Sequence, residues 1–147
     1  MSIVNAFELA EKFRTLADAS IDIIKESAIA GLEEFDAQLQ QRVFNENIGV
    51  DGQEFGKYKS ESYKRFRKSL GRNVTDKDLQ LTFQMRRSIK IDRDNLSLVF
   101  NKDTEAVKAR GQEHQLKMKI FEASGEEEKL IVQVMEDELI EKTNQKI

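Results

Sequence analysis

Residues Asp78 to Ile91 read DLQLTFQMRRSIKI, and this stretch decides whether the chain is all helical or mixed. Met85, Ile89 and Ile91 alternate with polar residues, as the inward face of a half-buried strand does. Asp92 to Asn95 has the composition of a tight turn, and Leu96, Leu98 and Phe100 alternate beyond it. The pattern predicts a β-hairpin. Leu116, Met118 and Ile120 alternate again and predict a third strand, with Asp103 to Gln112 as a short helix or ordered loop between.

Upstream, apolar residues at Ile21, Ile24, Ala28, Leu32, Phe35, Leu39 and Val43 step by three and four, the stripe of an amphipathic helix running to about Phe44. Ser20 is placed to cap its start. Phe7, Ala10, Phe13 and Ala17 suggest a shorter helix before it, with a break near Asp18 to Ser20. Asn45 to Gly56 is a loop, marked by Asp51-Gly52 and a second glycine. Ser60 is an N-cap candidate, Tyr63, Phe66 and Leu70 share one helical face that suits core packing, and Gly71 suits the C-cap. A polar linker, Arg72 to Lys77, leads to the hairpin. Near the end, Ser124 and Glu127 form a capping box, and Leu130, Ile131, Val134, Met135 and Leu139 stripe a last helix. The fold class is therefore α+β: a long N-terminal amphipathic helix, an extended basic loop and short helix, a small antiparallel sheet, and a C-terminal helix. One domain over 1–147 is expected, helical over about 1–71 with a projecting loop at about 45–60, and sheet plus final helix over about 78–145.

The 147 residues suffice for one core without covalent staples. There is no cysteine, which excludes disulfides and thiol catalysis, and no proline to interrupt a long helix. The opening residues MSIVNAFELAEKF carry no apolar run of a signal peptide, and no window of 18 residues is apolar throughout. Charge is uneven. Lys57 to Lys90 holds eleven Lys or Arg against three acids, whereas Glu122 to Glu141 holds eight acids against one Lys. Opposed blocks of this kind serve nucleic acid on one face, head-to-tail contact between copies, or solubility alone.

No constellation for chemistry emerges. His114 is the one histidine and lacks a clustered ligand set or a nucleophile motif; Glu113 is its nearest acid in sequence. The glycines form neither a dinucleotide nor a P-loop fingerprint. The chain is read as a non-enzyme with no cofactor and no metal. The basic segment carries more information. Asp51 to Arg67, DGQEFGKYKSESYKRFR, interleaves four aromatics with cations. Phosphate neutralisation and base stacking use such a mixture, so a small nucleic-acid-binding module on 57–90 is the alternative reading.

Taken in order, RVFNENIGVDGQEFGKYKS, YKRFRKSLGR, DLQLTFQMRRSIKI and IFEASGEEEKLI resemble the tail-completion or neck proteins of tailed bacteriophages, also described as virion-morphogenesis or head–tail joining proteins. Chains of that family often show a D-G and G-Y-S loop, a G-R after a basic helix, and a D-L-x-L-T-G stretch. The resemblance runs from about Gln41 to Leu139. It departs at Phe83, where the family tends to have glycine. It implies a homo-oligomeric ring, often hexameric, that completes or terminates the tail, meets connector and tail-tube proteins, and surrounds the DNA channel of a virion assembled in the bacterial cytoplasm. On that footing, Asp51, Gly52, Phe55, Gly56 and Tyr58 are expected to touch a neighbouring subunit or ring, with Phe55 and Tyr58 as aromatic anchors; the alternative is that both aromatics fold back onto the domain as local core. Lys57, Lys59, Lys64, Arg65, Arg67, Lys68, Arg72, Arg86 and Arg87 are expected at a DNA-facing or charged interface.

Overall fold

The computed structural model describes residues 6–80 and 82–146, the side chains of 6–10, 12, 13, 16 and 146 excepted. The chain is a mixture of helix and strand. Helix α1, Ala6–Leu39, runs without a break and ends in a wide π-helical turn, Gln40–Asn45. Then follow α2 (Glu61–Ser69), α3 (Gln84–Ser88), β1 (Ile89–Asp92), β2 (Ser97–Phe100), α4 (Asp103–Leu116) and α5 (Gly125–Lys146). The expected break at Asp18 to Ser20 is absent. Ser20 lies inside α1 rather than at a cap, because nothing there is worse for a helix than a mildly unfavourable Asp or Ser. The packing expected of Phe7, Ala10 and Phe13 falls outside the described side chains. Among the described residues, no helix is long and apolar enough to cross a membrane.

Helices α1 and α5 pack antiparallel, since Glu26 meets Lys142 at 3.6 Å while Arg42 meets Glu127 at 3.0 Å. Midway, Gly31 is buried, and a Cβ there would stand 2.5 Å from Met135 Cγ. The glycine lets the two backbones approach, at the helix-weakening cost usual for that residue. The capping box forms as expected: Ser124 N donates to Glu127 Oε1 at 2.9 Å, and Glu127 N donates to Ser124 Oγ at 3.2 Å. Its glutamate does a second job. Arg42, on the π turn, donates from Nε to both Glu127 oxygens at 3.1 and 3.0 Å, and from Nη2 to Glu122 O at 2.8 Å.

The core lies at the C-terminal end of α1. Leu39, Val43, Phe44, Phe55, Met85, Ile89, Ala109 and Ile120 are its buried members. The hairpin pairs Ile89 with Phe100 and Ile91 with Leu98, and the Phe100 ring meets Phe121 edge-on at 5.3 Å. Two expectations fail here. Met85 sits on the single helical turn α3 and not on a strand; the buried positions Met85, Ser88 and Ile89 have helical spacing. The third strand is also absent among the described residues, whose sheet has two strands. Leu116 closes α4, and Lys117 takes a left-handed φ of 55°. The alternation was nevertheless real as burial, with Ile120 fully enclosed and Lys117 and Lys119 exposed. The amide of Ile120 is satisfied by the Glu113 carboxylate at 2.9 Å, and Lys119 O accepts from Val50 N at 2.9 Å, so this stretch needs no ladder.

The substitution Gly31→Val inserts a branched side chain into the α1–α5 seam and is expected to destabilise by about 1–3 kcal/mol through overpacking. Thermal unfolding followed by circular dichroism measures it; an unchanged midpoint would mean that Met135 absorbs the intrusion.

Candidate functional site: the α2 surface

The segment from Asn47 to Tyr58 is not a free arm. Gly49 N donates to Gln53 O at 2.8 Å and Phe55 N to Asn47 O at 3.0 Å, making a small finger. Val50 ties that finger to Lys119, as described above. Past it, Lys77 N donates to Gly56 O at 2.7 Å and Tyr58 N to Thr75 O at 3.1 Å. The loop expected to project is thus stitched to the body along both limbs. Phe55, expected to anchor a neighbour, is only 4% exposed and belongs to the chain's own core. Asp51 and Gly52 stand exposed at the fingertip, and Gly56 is exposed with φ 97°.

Tyr58 is half-buried for a different reason. It forms the floor for Arg67, whose guanidinium lies 4.6 Å above its ring centroid and 5.9 Å from that of Tyr63. Arg67 is 1% exposed. It donates from Nη2 to Asp78 Oδ1 at 2.7 Å and from Nε to Asn73 O at 2.7 Å. The Tyr58 hydroxyl sits 3.2 Å from both Asp78 O, to which it donates, and Asp78 N, from which it accepts. Asp78 Oδ1 also accepts from Gln80 N at 3.1 Å. A buried charge is tolerated when it is paired and hydrogen-bonded, and Arg67 has both the Asp78 carboxylate and Asn73 O. Burial works against the Arg67 charge, but hydrogen bonding toward Tyr63 and the Asp78 carboxylate outweigh it and hold its pKa above the ordinary value.

The clamp seats α2 on the body of the chain. Ser60 caps its start, accepting from Tyr63 N at 3.3 Å, and Gly71 ends it at φ 68°, both as expected. The buried residue, however, is an arginine. Tyr63 and Leu70 flank Arg67 on the same side of the helix yet remain 37% and 45% exposed, and Phe66 is 50% exposed. The expectation that Tyr63 and Phe66 fill the core is corrected: the aromatic stripe faces solvent. The Tyr63 ring still touches Tyr58 at 5.4 Å and Phe66 at 6.2 Å.

The basic segment divides accordingly. Arg67 is inside. Arg72 lies with its guanidinium 4.4 Å over the Phe83 ring. Arg86 is half-buried and donates to Gln40 Oε1 at 2.8 Å and to Gln80 Oε1 at 3.2 Å. Lys57 pairs with Asp76 at 3.5 Å and Lys64 with Glu61 at 3.2 Å. Lys59, Arg65, Lys68 and Arg87 are exposed. The structure therefore does not gather all nine expected cations on one face; Arg67 at least is withdrawn from any surface. His114 is exposed in an open depression with Asp51, Arg110, Lys117 and Lys119, and its neighbour Glu113 is occupied by Ile120 N, as noted. Among the described residues no three His, Asp or Glu side chains converge as a cation site requires. Asp78 and the second buried acid near this surface, Glu105, escaped the sequence reading. Glu105 is 2% exposed and pairs with Lys108 at 2.9 Å; an i,i+3 charge pair reads as surface decoration and gives no hint of burial.

Comparison with protein-family models, with curated proteins and with solved structures found no match to this chain.

Removing one partner of the clamp leaves the other charge enclosed. Arg67→Met is expected to cost about 3–5 kcal/mol, and Arg67→Met combined with Asp78→Leu to recover most of it; denaturant titration of the two variants decides. The clamp also sets a pH response. Burial, then the Asp78 charge, push the Tyr58 phenol above its ordinary pKa, against the opposing pull of the Asp78 main-chain hydrogen bond and the Arg67 charge. A folded pKa raised in this way favours the folded state below about pH 10, and the contribution fades as pH rises through the folded value. The chain has two tyrosines, so tyrosinate absorbance in a Tyr63→Phe variant reports Tyr58 alone. Its midpoint is expected above that of the unfolded chain, and coincident midpoints would refute the assignment.

Proposed function

We propose that this chain is a structural component of a tailed-phage virion at the head–tail junction, where copies form a ring that completes the tail and joins it to the connector. One observation carries the reading. The positions at which the resembling family tends to have glycine have left-handed backbone here: Gly52 at φ 82°, Gly56 at 97°, Gly71 at 68° and Phe83 at 62°. At Phe83 a bulky residue occupies a conformation that glycine adopts freely and other L-residues enter at a cost of about 1–2 kcal/mol. The tight turn that the motif implies is thus kept although its glycine is not, with Arg72 stacked on the ring. A chain that holds this geometry against local strain supports the motif series as more than a coincidence of letters.

The surface is consistent with assembly. Besides the α2 stripe, Ile21 and Ile24 on α1 and Val132 and Ile140 on α5 are each more than half exposed. Several outward apolar groups on three helices suit a protein that meets neighbours. In this reading the partners are further copies of the chain and the connector and tail-tube proteins on either side. The exposed Lys59, Arg65, Lys68 and Arg87 contribute at most a sequence-blind contact with packaged DNA.

The purified protein is expected to assemble with rising concentration into closed rings, hexameric on the resemblance, seen by light scattering and negative-stain microscopy. A chain that stays monomeric and binds DNA in a salt-dependent manner would replace this reading with the nucleic-acid module.

A further inference from the structure

Helix α1 carries two inward lines of residues. Ile23 and Ser27 are buried on the line that continues to Gly31 and faces α5. Ile21, Ile24 and Ala28, part of the stripe legible in the sequence, lie about a quarter turn further round. The hairpin covers the C-terminal end of that stripe, where Phe35 and Leu39 meet Ile89, Leu98 and Phe100. Its middle is open: Ile21 and Ile24 are 52% and 57% exposed. Helix α5 repeats the arrangement. Ile131 and Met135 stand beside Gly31, and Val132 and Leu139, 51% and 39% exposed, lie about a fifth of a turn further round. No described apolar side chain of α5 is fully buried, because two helices alone make one seam and enclose no core. In an antiparallel pair, residues turned the same way from the seam emerge on the same side. The two open strips therefore form a single apolar face, two helices wide.

Charge and spacing select what covers this face. Lys25 edges it on the α1 side and Glu136 on the α5 side; both are exposed, and neither forms an ion pair among the described residues. With Glu26 level with Lys142 and Gly31 with Met135, Ala28 stands about level with Leu139. Lys25 is three residues from Ala28 in one direction along the arm, and Glu136 is three residues from Leu139 in the other, about 4.5 Å each way. Ile21 and Val132 are seven residues away, again in opposite directions, about 10.5 Å each. A two-fold axis at the Ala28–Leu139 level requires such matched offsets. We infer that the face pairs with the same face of a second copy about that axis. The four helices form a bundle, in which Ile21 of each copy meets Val132 of the other and Lys25 of each meets Glu136 of the other. A membrane is the wrong cover, since Glu122 to Glu141 holds eight acids against one Lys and lipid headgroups attract basic faces. The matched strip is roughly 21 Å by 20 Å in outline, below the standard interface size, so the pair dissociates on dilution. The inference does not rest on the ring reading. A ring at a head–tail junction has one polarity and a two-fold pair has none, so the pair is the form of the chain outside the particle.

The chain has no cysteine of its own, which makes the register testable. Within one copy, positions 21 and 132 stand about 21 Å apart along the arm, too far for a disulfide; across the axis they meet. Mild oxidation of the double variant Ile21→Cys with Val132→Cys is expected to give a covalent dimer, and each single variant to stay uncrosslinked. Sedimentation across concentration supplies a second readout. Ile21→Asp with Ile24→Asp, both at exposed positions, is expected to keep its helical circular dichroism and to be monomeric where the wild-type chain is dimeric. Lys25→Glu and Glu136→Lys each reverse two symmetry-related contacts and are expected to weaken the dimer about tenfold; combined in one chain, they are expected to restore it. A wild-type chain that is monomeric at every concentration overturns the pair. So does a dimer that survives the aspartate substitutions, or a combined charge variant weaker than both single ones. Crosslinking no more frequent in the double cysteine variant than in the single ones overturns it as well.

Discussion

A single guanidinium ties the two ends of this fold together. Arg42 emerges from the π turn that ends α1 and is enclosed there by Glu127, Glu122 O and Ile48 O, the last at 3.3 Å. Glu127 is at the same moment the carboxylate of the capping box that starts α5. One buried ion pair therefore fixes where α1 stops, where the finger begins and where α5 starts. The antiparallel seam through Gly31 and Met135 follows from that placement, as does the enclosure of Ile120 just before α5. Such a pair is a weak source of net stability, since desolvation offsets most of the attraction, but it penalises any arrangement that would leave either charge alone. Its contribution is to specify one arrangement.

The second buried arginine does for the surface what the first does for the core. Arg67 takes the place that Tyr63 or Phe66 would hold on an ordinary amphipathic helix, and its fit between two tyrosines, Asp78 and Asn73 O determines which way α2 faces. Here an internal constraint creates an external property. The fully buried side chain beneath the helix is a cation, and the aromatics beside it stay partly exposed. Any role of this surface in assembly thus depends on residues that a partner never touches.

The parts of the fold set by local rules were legible in the sequence: the α1 helix, though near its middle Ile23 and Ser27 face inward where the stripe had Ile21 and Ile24, the Ser60 and Gly71 caps, the Ser124–Glu127 box, and the hairpin turn, where Asp92 Oδ1 accepts from Asp94 N and Asn95 N, both at 3.1 Å. Periodicity misled where two structures share a pattern. Met85 and Ile89 fit a strand or a helical turn equally, and Leu116 to Ile120 alternate because alternate residues are buried, not because they pair. The candidate site was the least legible. Arg67 lies 11 residues from Asp78 and 9 from Tyr58 in sequence, and nothing local marks it apart from Arg65 or Lys68. Only the tertiary encounter does so. Phe55 illustrates the reverse error, since an aromatic in a glycine-bounded loop suggests an outward anchor, yet the finger folds it home.

The relative lengths of α1 and α5 have a mechanical meaning. With Glu26 opposite Lys142, the end of α5 comes level with about residue 22 of α1, so among the described residues the first sixteen of that helix extend past α5 for roughly 24 Å. An isolated helix of that size is marginal in water. This one persists as the continuation of a segment already held at its base, with neither glycine nor proline to interrupt it before Gly31. In lever terms, the support of this extension ends near residue 22, and the lever arm about that point lengthens by about 1.5 Å with each residue toward the start of the helix.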